Sequence, residues 1–126
     1  MKGDMGNGAK IFARQNPGCA TCHVVNGQGV ELGPNLSEIG AKLGKDALYE
    51  AILDPNAGIS FGYEAFNLTL KNGDEAYGLI ASETADEVTL KNIGGIVTRY
   101  TKDDIADRQQ SKVSIMLAGL QAGLTV

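Results

Sequence analysis

The sequence predicts a mainly α fold with an inserted antiparallel β-meander, which makes it α+β overall. Three observations support this prediction. Apolar residues recur at three- and four-residue spacing within residues 37–53, as they do along one face of a helix. Apolar and polar residues alternate within residues 63–101, as they do in half-buried strands. The length of 126 residues and the hydrophobic content of 43% suit a single domain with one core.

Two helices are predicted on either side of a loop that is rich in glycine, asparagine and proline. The first helix spans residues 4–15, where the side chain of Asp4 can cap its N-terminus. The second lies within residues 37–53 and has a start signal at Gly44. It ends before Pro55, because proline disfavours a helical conformation in the residue that precedes it.

Four short strands are predicted between residues 63 and 101, followed by a polar segment and an apolar C-terminal stretch. Asn72-Gly73 indicates a hairpin, because both residues tolerate the positive φ angles of a tight turn. Gly94-Gly95 marks a second tight turn before the fourth strand. The polar segment runs to Lys112, and residues 113–126 are then rich in apolar side chains.

Composition and charge argue against two classes of protein. Lys and Arg number 11 against 15 Asp and Glu, which gives a net charge of −4 and no basic cluster for a nucleic acid. No run approaches the ~20 apolar residues of a membrane-spanning helix. Residues 1–18 also lack the apolar region of a signal peptide. We therefore expect either a cytoplasmic protein or an exported one whose signal peptide is not part of this chain.

The run Cys19-Ala20-Thr21-Cys22-His23 carries the clearest chemistry in the chain. Two thiols three positions apart lie on the same side of a short helical turn, where each can add to one vinyl group on a shared edge of a porphyrin. The next residue, His23, can then bind the iron through a ring nitrogen. The C-x-x-C-H pattern therefore predicts one covalent haem c, attached through Cys19 and Cys22, with His23 as an iron ligand.

Three alternative roles for the cysteine pair have weaker support. A thioredoxin-like redox pair needs a strand before it and a long helix after it, whereas glycine, asparagine and proline flank this one. A zinc ribbon needs a second ligand pair, and the chain has no other Cys or His. A structural disulfide between Cys19 and Cys22 would be strained and would close almost no loop.

A second short motif, Gly33-Pro34-Asn35-Leu36, begins ten residues after His23. Together with the C-x-x-C-H run it resembles the class I cytochrome c family. The resemblance implies that the carbonyl oxygen of Pro34 accepts a hydrogen bond from His23, which orients the ring and raises its basicity. It also implies that Leu36 lines the haem pocket.

The same resemblance implies a distal methionine as the second iron ligand. Met1 and Met5 lie near the N-terminus, so Met116 is the candidate. Ligation by histidine and methionine suits electron transfer, because it raises the haem potential. The chain departs from the family at Leu117, where proline is usual. It also departs in its C-terminal helix, which is short or missing.

The layout of the whole chain most resembles the haem-binding domain with a β insertion that occurs in planctomycetes and verrucomicrobia. The resemblance implies one domain over residues 1–126, with the insertion at about 63–101. It also implies self-association through the face around Gly8 and Phe12 if the C-terminal helix is missing. The matching stretches are Cys19–His23, Val25–Gly27, Gly33–Leu36, Glu50–Pro55, Gly62–Glu64 and Ser114–Leu124.

The function expected from motif and resemblance is that of a monohaem c-type cytochrome, an iron protein of electron transport. It would pass single electrons between redox partner proteins, a secreted dehydrogenase among them, in the periplasm or another exported location. It would not be an enzyme, and no catalytic residues are assigned. The alternative is a haem protein whose distal iron position is open or only weakly occupied, and which acts as a gas or redox sensor or as a weak peroxidase. No nucleic acid and no membrane span are expected.

Overall fold

Three short helices and a five-stranded antiparallel sheet carry most of the regular structure. The computed structural model describes residues 2–125, so Met1 and Val126 lie outside the described residues. The helices are α1 (Met5–Ala13), α2 (Ile39–Lys42) and α3 (Lys45–Leu53). The strands are β1 (Val24–Val25), β2 (Gln28–Gly29), β3 (Ala65–Leu70), β4 (Glu75–Glu83), β5 (Glu87–Asn92), β6 (Ile96–Thr101) and β7 (Ile105–Gln110).

The prediction of a mainly α fold is wrong, because the chain is 28% helical and 30% strand. The helices are shorter than the patterns suggested: α1 and α3 have nine residues each. The second predicted helix is interrupted at Leu43, whose extended backbone separates α2 from α3. Among the described residues of the C-terminal stretch, only Leu120–Gly123 forms a helical turn, of the 3-10 type. The Ala-Gly pairs in this stretch are poor helix formers.

Strand β7 is the longest strand that the sequence did not reveal; the two-residue strands β1 and β2, in the predicted loop, were missed as well. Strand β7 lies in the segment expected to be merely polar, and it pairs with β3 rather than with its neighbour in sequence, β6. The strand order is therefore β6-β5-β4-β3-β7. Nearly all residues of β7 are exposed, so its sequence shows no alternation between a buried and a solvated face.

Local turn signals predicted two of the hairpins correctly. Strands β3 and β4 pair across Asn72-Gly73, where Gly73 has a φ of +92° and Asn72 Oδ1 accepts a hydrogen bond of 2.9 Å from the Asp74 amide. Gly94 and Gly95 also take positive φ angles between β5 and β6. The Asp4 cap of α1 is confirmed too, since its carboxylate accepts a 2.9 Å hydrogen bond from the Asn7 amide.

Two apolar clusters form the core. One lies within the sheet around Leu68, Val88 and Leu90. The other joins the sheet to the loops: Leu32, Ala65 and Leu79 are buried together, and partly buried Cys22, Tyr63 and Ile115 pack against them. This second group, here called the loop cluster, brings the cysteine-bearing turn and the C-terminal segment to the same place. Among residues 2–125, no helix has the length and apolar character that crossing a membrane requires.

An ion network links the surfaces of β4, β7 and the turn after β6. The Glu83 carboxylate lies 3.0 Å from Arg108 Nη1 and 2.8 Å from Lys102 Nζ. Hydrogen bonds from Arg108 and then Lys102 lower the pKa of Glu83 from 4.5 to about 2. Because the pKa is lowered by folding, the network stabilises the fold fully above pH 4.5 and loses its effect as the pH falls towards 2.

We therefore expect Glu83→Gln to destabilise the chain at pH 7 and to have little effect near pH 2. The loss should be at most about 1 kcal/mol, because the pair is partly exposed and screened by solvent. The measurement is urea unfolding of wild type and variant across this pH range. Glu87→Gln is the matched control, since its carboxylate lies 3.7 Å from Arg99 in a more exposed pair. A loss for Glu83→Gln that does not shrink on acidification contradicts this account.

Candidate functional site

The C-x-x-C-H run folds into a tight turn that starts at a glycine. Gly18 takes a φ of +86°, and residues Cys19–Thr21 form a 3-10 turn. The amides of Cys22 and His23 both donate to the carbonyl oxygen of Cys19, at 3.2 and 3.0 Å. Cys19 and Cys22 are both half-buried free thiols. The turn therefore keeps the two thiols unbonded in one short segment, with the histidine next to them.

The His23 ring is oriented by a backbone carbonyl. Its Nδ1 lies 2.7 Å from the carbonyl oxygen of Pro34, which is the hydrogen bond that the resemblance implied. A carbonyl can only accept, so Nδ1 carries the proton and a neutral ring keeps a free lone pair on Nε2. The arrangement thus leaves Nε2 as the atom that can bind a metal.

The segment that contains Pro34 is fastened to the histidine turn by backbone hydrogen bonds. The amides of Leu32 and Gly33 donate to the carbonyl of Cys22, at 3.1 and 2.6 Å. The amide of Leu36 donates to the carbonyl of Val24 at 2.8 Å. Leu36 is half-buried, and this hydrogen bond fixes the position of its backbone relative to the histidine turn.

The absence of a side chain at Gly33 leaves space for the His23 ring. A Cβ added at Gly33 would lie 2.6 Å from His23 Cε1 and 3.3 Å from the carbonyl oxygen of Cys22. Gly29 is equally constrained, because it has a φ of +120° and an added Cβ would overlap the carbonyl oxygen of His23. The backbone therefore forms a cradle around His23 that a larger residue would fill.

We expect Gly33→Ala to displace the ring and to destabilise the fold by about 1–3 kcal/mol, the usual cost of overpacking. The measurement is urea unfolding together with haem uptake by the variant. Gly40→Ala on α2 is the matched control, because nothing lies within 4 Å of its added Cβ. If both variants take up haem and unfold like wild type, the cradle does not position His23.

The Cys19 thiol is not poised as a nucleophile. Burial raises the pKa of Cys19 above 9.0, and this effect exceeds the lowering caused by a backbone hydrogen bond and by Arg14. Reactive redox cysteines need a lowered pKa, because the thiolate is the attacking species. The environment of Cys19 therefore argues against a thiol-redox centre.

The segment that carries Met116 approaches the same region. Ile115 packs in the loop cluster together with Cys22, and Met116 is half-buried beside it. Residues 111–119 belong to no helix or strand. By contrast, Met5 is 92% exposed, and Met1 lies outside the described residues.

The sheet also borders the cysteine turn. The turn at Ile93–Gly95 contacts the turn at Cys19–Thr21, and a Cβ added at Gly95 would lie 3.1 Å from Val30 Cγ1. The end of the β5–β6 hairpin therefore sits against the histidine loop. At Gly8, nothing within the described residues lies within 4 Å of an added Cβ, so no other segment packs closely against this glycine.

These residues fit a covalently attached haem. They supply two free thiols at the right spacing, a histidine with Nε2 available, and a glycine cradle that fixes the ring. A zinc site has less support, because residues 2–125 contain no group of three or more His, Cys, Asp or Glu side chains that could hold a metal ion.

Two residues of the site were missed by sequence reasoning. Asn56 Oδ1 accepts a 2.7 Å hydrogen bond from the Ser114 amide, and Ser114 Oγ accepts one of 3.1 Å from the Met116 amide. Asn56 and Ser114 are 58 positions apart, so no local pattern links them. A residue covariation signal is the kind of observation that could have found the pair.

Comparison with known proteins identifies a family for this chain. The family model described as Cytochrome c matches residues 6–110, which include the C-x-x-C-H turn, Pro34 and all strands of the sheet. The match ends before Met116. No curated protein matches the chain.

Proposed function

The chain belongs to the cytochrome c family, and from this premise we propose that it is a monohaem c-type cytochrome that carries single electrons between redox partners. Membership supports a haem-based electron-transfer role. The observation that carries the proposal is the hydrogen bond from His23 Nδ1 to the Pro34 carbonyl, next to the two free thiols. This hydrogen bond orients His23 so that Nε2 can bind the iron, next to the thiols that can attach the haem covalently.

In the proposed assignment each residue has a defined task. Cys19 and Cys22 would each hold the haem through one thioether bond, formed when the S–H group adds across a vinyl group. His23 Nε2 would bind the iron, and the Met116 thioether would be the second ligand. When bound, the haem supplies a reversible one-electron change at iron.

The surrounding residues orient the ligands and exclude water. The Pro34 carbonyl holds His23 in one tautomer and makes Nε2 a better donor. The loop cluster is apolar and includes Cys22 and Ile115, so it keeps water from the side of the site where both segments meet. Leu36 would add to the apolar pocket wall.

The partners, location and branch are part of the proposal. The net charge of −4 favours a redox partner with a basic docking patch, and a secreted dehydrogenase is one candidate. Covalent haem attachment supports a periplasmic or other exported location. We place the chain in the planctomycete and verrucomicrobial branch, as one domain over residues 1–126 with a β insertion. Its open face around Gly8 supports self-association.

A second function is favoured by one observation. Met116 lies on a segment without regular secondary structure, so its bond to iron could open readily. An open position would suit a gas or redox sensor, or a weak peroxidase. The chain has one histidine, which is His23, so no distal histidine exists to act as the base that efficient peroxidase chemistry needs.

The test of the electron-carrier proposal is a potentiometric titration of the protein matured with haem. We expect a single reversible one-electron transition, with the protein carrying one haem that survives denaturation. Irreversible reduction, or covalent haem that no mediator can reduce and reoxidise, contradicts the proposal.

A further inference from the structure

A hydrogen bond to the turn after α3 holds the segment that presents Met116. We infer that Asn56 is a positioning residue that keeps Met116 in place for iron ligation. This inference rests on the proposed role of Met116 as the second ligand. Asn56 itself touches neither His23 nor either cysteine in any hydrogen bond of the described residues.

The link from Asn56 to Met116 has two steps. The Ser114 amide donates to Asn56 Oδ1 at 2.7 Å. The Ser114 hydroxyl oxygen then accepts a hydrogen bond of 3.1 Å from the Met116 amide. Ser114 therefore transmits the anchor to the backbone of the ligand, so that a shift at Asn56 displaces Met116.

Asn56 is a firm anchor because the turn around it is fixed. The Asp54 amide donates to the Glu50 carbonyl at 2.8 Å and closes α3. The Ala57 amide donates to the Asp54 carbonyl at 3.0 Å, and Pro55 between them is buried. The Asn56 side chain thus extends from a hydrogen-bonded turn with a buried proline, although it is itself exposed.

The Met116 segment needs such an anchor. Its start is fixed by the Ser111 amide, which donates to the Ala65 carbonyl at 2.8 Å, and Ile115 packs in the loop cluster. Beyond Met116 the side chain of Leu117 is 60% exposed, and Gly119 has a φ of +87°. Because residues 111–119 belong to no helix or strand, side-chain hydrogen bonds contribute to holding the segment.

The expected effect follows from the energy of one hydrogen bond. Losing a bond worth about 1 kcal/mol raises the population in which Met116 is off the iron about fivefold. An external ligand that binds only this open form then gains apparent affinity by the same factor, because apparent affinity scales with the competent fraction.

The experiment measures imidazole binding to the oxidised holoprotein. We expect Asn56→Ala to bind imidazole about fivefold more tightly than wild type, since it loses the acceptor. Asn56→Asp keeps an oxygen acceptor and should stay within about twofold of wild type. Asn72→Ala is the matched control, because it loses a similar 2.9 Å hydrogen bond to a backbone amide in the β3–β4 turn.

Urea unfolding separates positioning from general destabilisation. Equal stability losses in Asn56→Ala and Asn72→Ala, with tighter imidazole binding only in Asn56→Ala, support the positioning role. Equal imidazole affinities in the two variants overturn the positioning role of Asn56. If wild type then shows an intact methionine–iron absorption band, the electron-carrier proposal is not affected. A wild type without that band overturns both the ligand assignment of Met116 and the role of Asn56.

Discussion

Replacing both Cys19 and Cys22 with alanine is expected to abolish covalent haem attachment. Each thioether needs one thiol, and these are the two cysteines of the chain. Because His23 remains, the variant can at most bind haem without a covalent bond. The measurement is the mass of the denatured protein after expression with c-type maturation machinery, where wild type should carry one haem.

Thr21→Ala is the matched control for the cysteine variant. It removes the 2.6 Å hydrogen bond from the Thr21 hydroxyl to the Gly18 carbonyl within the same turn, but it keeps both thiols. We expect it to retain covalent haem. Haem that survives denaturation in the double cysteine variant contradicts the assignment of this turn as the attachment site.

The second large effect is expected for Met116→Leu. Leucine preserves the apolar character of the segment but has no atom that can bind iron. In the reduced protein we expect carbon monoxide binding to change from undetectable in wild type to stoichiometric in the variant. The measurement is an optical titration of the reduced holoprotein with carbon monoxide.

Met5→Leu provides the comparison for Met116→Leu. Met5 is 92% exposed on α1, so its replacement should leave carbon monoxide binding undetectable. If Met116→Leu behaves like wild type, Met116 is not the second ligand. If wild type already binds carbon monoxide, the distal position is open and the sensor function gains support.

Local chemistry determined which parts of the fold were predictable. The hairpin at Asn72-Gly73 and the cap at Asp4 depend on residues adjacent in sequence, and both were predicted correctly. Strand β7 depends on pairing with β3 far away in sequence, and its exposed polar residues give no periodic signal. The helical content was overestimated, because short periodic runs and a family resemblance both favoured helices longer than those that formed.

The same distinction between local and long-range features explains which parts of the site were predicted. The C-x-x-C-H turn is a local motif, and the hydrogen bond between His23 and Pro34 was implied by a second motif nearby. The iron-binding roles of His23 and Met116 stay predictions. The Asn56–Ser114 contact was not predictable, because it joins a turn after α3 to an irregular segment 58 residues later.

The sharpest test of a closed haem site with His23 and Met116 as iron ligands is the optical spectrum of the holoprotein. It is recorded for the oxidised and the reduced protein, with and without carbon monoxide. We expect bound haem, a methionine–iron charge-transfer band in the oxidised protein, and a reduced spectrum that carbon monoxide does not change. A protein that takes up no haem after expression with the maturation machinery contradicts the haem assignment. Ready binding of carbon monoxide contradicts the closed His23–Met116 site.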